Sequence, residues 1–149
     1  MKKFIAILVA LVAAALPLTA CGSSDGYKDG SYRAEGAAAD DHGWKPYLVV
    51  TVEGGAIATV EYDYVNADGL KKSEDEDYKA NMLGYGGTTY PAEFTQKIEE
   101  GYVAAQKGAD VDTVAGATVS TNNFKKLAAE LEKSMSKGKK DIVVVDMTK

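Results

Sequence analysis

The chain has 149 residues, a formal net charge of −5 at pH 7, 46% hydrophobic residues and a single Cys. One domain with a sizeable core is the default at this length, and a disulfide within one chain is excluded. The acidic balance argues against nucleic acid, which needs a basic stripe. One His and one Cys leave no cluster of metal ligands for zinc.

Lys2 and Lys3 make a positive start, Phe4 to Leu16 is an unbroken apolar run, and Leu18-Thr19-Ala20-Cys21 follows. The run is too short to span a bilayer and small residues precede the cut, so residues 1–20 read as a secretory signal. Leu-Thr-Ala-Cys resembles a bacterial lipobox, which implies that Cys21 is lipidated and becomes the new N-terminus. The expected organisation is a signal peptide over 1–20, a lipidated tether over 21–29 and one folded domain over 30–149. Loss of residues 1–20 moves the formal charge from −5 to −7, because they hold two lysines and no acids. Attraction to anionic lipid then does not hold the protein, and the acyl chains on Cys21 must anchor it to the outer side of the membrane.

Along the domain, Ser31 to Gly36 reads as a first strand. Ala37 to Pro46 is a loop with Asp40, Asp41, His42 and Trp44; one His among acids is read as solvated, and Trp44 as a core or loop anchor. Tyr47–Val52 and Ala56–Val65 alternate around Glu53-Gly54-Gly55 and predict a hairpin with one buried face. Asn66 to Asp77 is charged and turn-rich. Its Asn66-x-Asp68-Gly69 resembles a calcium loop, but that register puts Tyr64 at the first ligand position and Asp75 at the last, so the pattern fails. Ser73-x-x-Glu76 reads as a capping box opening a short helix with Tyr78 and Met82 on one face, ended by Gly84-Tyr85-Gly86-Gly87.

Thr89 and Pro91 start a second helix with Phe94, Ile98, Tyr102 and Ala105 as its buried stripe, closed by Gly108. The best amphipathic pattern is Phe124, Leu127, Ala128, Leu131 and Met135, stopped by Gly138. Asp141 to Val145 reads as a last strand. Strands first, helices in the middle and a closing strand give an α+β domain, most simply a single, mostly antiparallel sheet with helices packed on one side.

Between the two long helices lies Asp112-Thr113-Val114-Ala115-Gly116-Ala117-Thr118-Val119-Ser120-Thr121, a small-residue turn running into a helix. Gly116 and Ala117 let the backbone approach a ligand. Thr118 sets a hydroxyl beside a helix opening, whose free N–H groups and partial positive charge suit a phosphate. Ser120 and Thr121 are placed as helix caps. Asp112 is a candidate to steady the loop or to hold a metal while a phosphate is transferred.

Asp112-x-x-Ala115-Gly116-Ala117-Thr118 resembles the flavinylation motif of the FMN-binding domain family, Asp-x-x-Ser/Thr-Gly-Ala-Thr/Ser, and departs from it at Ala115, where the family usually has a hydroxyl. The resemblance implies FMN joined to Thr118 by a phosphoester, with Asp112, Ala115, Gly116, Ala117 and Ser120 around it. It implies maturation by a flavin transferase and electron relay from a redox partner protein or quinone-linked donor to an external acceptor. That is a carrier rather than a stand-alone enzyme. Tyr64, Tyr78 and Tyr85 are candidates to cover the flavin ring. The reading from another class is a lipoprotein without flavin that binds a small ligand or a protein, with Ala115 as the feature in its favour.

Overall fold

The turn at Gly54 and Gly55 sets the sheet in motion: both residues have positive φ, 60° and 80°, as the tightest hairpin turns require. The structure, a computed structural model, describes residues 26–148; the signal segment and Cys21 lie outside the described residues. The turn joins β2 (Lys45–Glu53) to β3 (Ala56–Val65) in an antiparallel pair. β1 (Gly30–Gly36) adds antiparallel to β2. β4 (Val143–Val145) then returns parallel to β1, giving the order β3-β2-β1-β4. The sheet is thus mostly antiparallel in an α+β domain. Its last strand is shorter than Asp141–Val145, because pairing with β1 begins only at Val143.

One face is apolar. Tyr32 and Ala34 of β1, Leu48, Val50 and Val52 of β2, and Ile57, Tyr62 and Tyr64 of β3 are all buried in one core. α2 (Pro91–Ala105) packs along β3, and α3 (Thr118–Lys137) packs on β1 and β2. Phe124 of α3 joins the two helices to the sheet, with edge-on rings of Tyr62 and Tyr102 centred 5.4 and 5.0 Å away. All five stripe residues of α3 are fully buried. On the other face Lys45 and Arg33 flank Glu35 at 3.0 and 3.3 Å, and Lys71 meets Glu61 at 2.7 Å. Exposed pairs of this kind contribute about 0–1 kcal/mol each, so the apolar face carries the stability.

Two helix ends here differ from the sequence pattern. α1 (Glu76–Gly84) is capped by Asp75, whose side chain accepts from the Tyr78 N–H at 2.8 Å. Ser73 cannot cap it, because its hydroxyl donates to buried Asp63 at 2.5 Å. α2 stops at Ala105, before Gly108, because Gln106 turns left-handed (φ 61°). The Gln106 amide then bonds both the N–H and the carbonyl of Ile57, at 2.7 and 2.9 Å, as a further strand would. Glu99 likewise accepts from the Tyr62 N–H at 2.8 Å. Side chains of α2 therefore cover the free edge of β3.

Burial pushes the Glu99 carboxyl above its usual range, and the nearby charges of Asp63 and Glu61 add to it. A carboxyl raised on folding contributes stability that is fully present below its unfolded pKa, about 4.3, and is lost as pH rises through the folded value. Glu99→Gln keeps an acceptor for Tyr62 and has no such proton to lose. Its stability relative to the parent should rise as pH increases from about 4.3 through the raised folded-state value in urea unfolding curves. A difference independent of pH would contradict this.

Candidate functional site

α3 begins at Thr118 with Ala117 as its N-cap, and no side chain caps it. Ser120 and Thr121 are its third and fourth residues, too far along to cap. Thr121 works from beneath instead. Its hydroxyl accepts from the Val114 N–H at 3.2 Å and donates to the Ala117 carbonyl at 3.0 Å, where its own N–H also donates at 2.9 Å. The Ala117 N–H closes the turn on the Val114 carbonyl at 3.0 Å. The first N–H groups of α3 are left open with their partial positive charge, beside the exposed Thr118.

Gly116 has φ 79°, and a Cβ there would stand 2.8 Å from Thr88 Oγ1 and 3.2 Å from Thr89 Cγ2. The left-handed backbone is what favours glycine at this position, with the Thr88-Thr89 segment lying close over it. Ala117 is buried under the loop.

The loop divides two spaces. On one side is an open groove of about 730 Å³, lined by Asp112, Thr113, Ala115, Thr88, Lys97 and Asp110 among others, with no aromatic ring in its walls. Asp112 is exposed and makes no hydrogen bond or ion pair among the described residues; the loop is steadied by Thr121. On the other side is a cavity of about 450 Å³ reached by Gly116, Ala117, Thr118 and Ser120. Tyr64, Tyr78, Phe94 and Met82 wall it, with Lys72, Asn123, His42 and Asp40 supplying polar groups. Tyr64 and Tyr78 are thus brought to Thr118. Tyr85 is 92% exposed and lines a neighbouring hollow that shares His42, Tyr78 and Met82.

Hydrogen bonds tie this wall to α3. The Tyr62 hydroxyl donates to the Ser120 carbonyl at 2.7 Å and lies 2.9 Å from the Tyr64 hydroxyl, which accepts from Asn123 Nδ2 at 3.2 Å. Burial holds the Tyr62 phenol well above its usual pKa, so it stays a donor. The mouth of the cavity is shaped by Asp40, whose Oδ1 accepts from the backbone N–H groups of His42 and Trp44, both at 2.9 Å.

Sequence reasoning missed Lys72 and Asp63. The segment from Asn66 to Asp77 reads as solvated, yet Lys72 is only 7% exposed. It heads a single 3₁₀ turn, Lys72–Glu74. Asp63, buried on the outer face of β3, pins that turn by accepting from the Ser73 N–H at 3.2 Å and the Ser73 hydroxyl. Burial raises the Asp63 carboxyl, and the bonds from Ser73 and Tyr64 pull it back. The one available signal was an acid in a strand ten residues before a Ser that follows two lysines. Only the folded chain pairs them.

The family model described as FMN-binding domain matches residues 43–131, a segment that includes every wall of the cavity except Asp40 and His42. A 15 kDa lipoprotein of Treponema pallidum (strain Nichols) is 36% identical over 130 residues, covering 87% of this chain and 91% of the relative. A crystal structure of a Clostridium perfringens protein matches with a TM-score of 0.77 at 39% identity, over 80% of this chain and 98% of that one. A solution structure from Clostridium thermocellum matches with a TM-score of 0.50 at 29% identity, over 72% and 91% of the two chains.

Thr88 can turn its hydroxyl aside, so backbone strain dominates the effect of a side chain at position 116. Gly116→Ala should lower stability by about 1–3 kcal/mol, the usual range for a left-handed residue that is not glycine, as read by chemical denaturation. A change within error of zero would show that the loop relaxes to a different conformation.

Proposed function

The chain belongs to the FMN-binding domain family and its cofactor is FMN; from that premise we propose that it is an exported, lipid-anchored electron carrier with FMN joined through its phosphate to Thr118. The observation that carries this reading is the exposed Thr118 hydroxyl at an uncapped helix start, on the rim of an aromatic-walled cavity.

The residues present fit the group. The open N–H groups of the first turn of α3 suit a phosphodiester, which keeps a negative charge after attachment. Tyr64, Tyr78, Phe94 and Met82 offer apolar and aromatic walls to a flat ring, in a volume typical of small-molecule sites. FMN, when bound, supplies the redox chemistry, and the protein supplies attachment, orientation and electrostatics. The cavity walls limit water around the ring, and Asn123 and His42 offer polar contacts to its edge. A covalent tether suits an exported carrier, because a cofactor held only by weak contacts is diluted away.

Asp112 and Ala115 face the groove on the opposite side of the loop. In this reading they meet the flavin transferase during maturation, with Asp112 positioning the loop or a metal. Ala115, where the family pattern has a hydroxyl, affects loading and not the finished site. Electrons then pass from a redox protein or quinone-linked donor to an acceptor outside the membrane. Cys21 anchors the chain: Leu18-Thr19-Ala20-Cys21 ends an apolar run too short to span a bilayer. A relative that aligns over most of both chains is itself named a lipoprotein.

Co-expression with a flavin transferase, followed by peptide mass mapping, tests the attachment. The peptide containing Thr118 should be heavier by one FMN less water, and Thr118→Val should lose that mass while staying folded. Flavin on another residue, or a folded parent that never gains it, would overturn the carrier reading and leave a ligand-binding lipoprotein in its place.

Cys21→Ala tests the anchor. Cell fractionation should move the variant from the membrane to the soluble fraction. Retention equal to the parent's would place the anchor elsewhere.

A further inference from the structure

Among the described residues, Lys72 is a buried cation without an anion. Its ammonium lies 4.3 Å from the ring centroid of Tyr78, 4.7 Å from that of Tyr64 and 5.6 Å from that of Trp44. No hydrogen bond or ion pair engages it among the described residues. Yet no fully buried side-chain nitrogen or oxygen there lacks a partner. The ammonium is therefore not sealed in; it opens on the cavity that Lys72 lines together with Thr118. Three ring faces return part of the desolvation cost of an ammonium, but an unpaired buried charge remains unfavourable. The chain nevertheless holds Lys72 in place through the Asp63–Ser73 bonds on the far side of the turn.

Such a cation favours whatever brings negative charge into the cavity. Besides the phenols of Tyr64 and Tyr78, the other ionisable side chains there are Asp40 and His42. Asp40 already accepts two backbone N–H bonds, and both residues are exposed at the mouth. The α3 start offers its own positive end to a phosphate on Thr118, whereas Lys72 stands among the aromatic walls. We infer that Lys72 is the charge that binds the reduced, anionic ring of FMN more tightly than the oxidised, neutral ring, and so raises the reduction potential of the carrier.

The inference rests on the reading that FMN occupies this cavity. The balance is simple. The ring takes two electrons from a quinol or reduced-flavin donor and one proton from water, and it gains one negative charge. Lys72 forms no bond to the ring. Charge placed near the ring is a recognised means of tuning a flavin.

The test is a redox titration of the flavin-loaded parent, Lys72→Met and Lys72→Arg, followed by absorbance, with FMN attachment verified by intact mass. Lys72→Met should lose about a hundredfold of its preference for the reduced ring. That is a fall of about 60 mV in the two-electron midpoint, at about 30 mV per tenfold. Lys72→Arg should keep most of the parent's potential, and Lys72→Gln gives the same reading as Met should the Met variant fail to fold. An unchanged midpoint in a loaded Lys72→Met protein overturns the inference. So does a variant that binds oxidised and reduced FMN equally more weakly while binding lumiflavin, which has no phosphate, as the parent does; that result assigns Lys72 to the phosphate. If the parent carries no flavin by mass, the covalent reading fails by itself. The same ratio is then measured with added FMN in its oxidised and dithionite-reduced forms, and equal ratios in parent and Lys72→Met, or no binding by the parent in either form, overturn the inference.

Discussion

The fully buried hydroxyl of Thr121 accepts a hydrogen bond from the Val114 N–H and donates one to the Ala117 carbonyl. Those two bonds fold the small-residue loop back onto the helix it precedes. They do so from within the helix, one turn past its start, so the end itself stays uncapped. A Ser or Asp at position 117 would have satisfied one of the open N–H groups and covered the place where a phosphate can sit. The loop also depends on Gly116, whose missing side chain lets Thr88 and Thr89 close over it. Thr118 is exposed because everything around it is fixed by partners other than Thr118.

This arrangement gives the two sides of one loop different surroundings. Asp112 and Ala115 look onto an open groove with no aromatic wall, a surface that another protein can reach. Gly116, Ala117, Thr118 and Ser120 look onto the aromatic cavity. A residue on the groove side can be changed without touching the cavity. A residue on the cavity side can be changed without altering the groove. The cavity is built from distant parts of the chain: the Asp40–Trp44 turn before β2, Tyr64 at the end of β3, Lys72 on its turn, Tyr78 and Met82 on α1, and α3. In the core beneath it, Phe124 of α3 meets Tyr62 of β3 and Tyr102 of α2 edge-on.

Elements governed by local periodicity were legible in the sequence. β3 has the bounds that its alternation and glycine turn predict. The stripe from Phe124 to Met135 is buried throughout, because apolar residues at helical spacing have one way to leave water together. What was not legible is tertiary. Asp75 displaces Ser73 as the cap because Ser73 is drawn to Asp63. Gln106 ends α2 early because its amide completes the edge of β3. Lys72 lies in a charged stretch and reads as solvated, since the rings that bury it come from Trp44, Tyr64 and Tyr78. Of the three tyrosines picked for the flavin ring, Tyr64 and Tyr78 share a cavity with Thr118 and Tyr85 borders the next one. A sequence does not say on which side of a six-residue loop, Asp112 to Ala117, each residue will face.

The central claim is that FMN is tethered at Thr118 and lies in the cavity beside Lys72. The most direct measurement is a crystal structure of the flavin-loaded chain. The account predicts density continuous from Thr118 Oγ1 into a phosphate at the first turn of α3, with the ring against Tyr64 and Tyr78. Density for the ring in the groove beside Asp112, or joined to any other side chain, would contradict it.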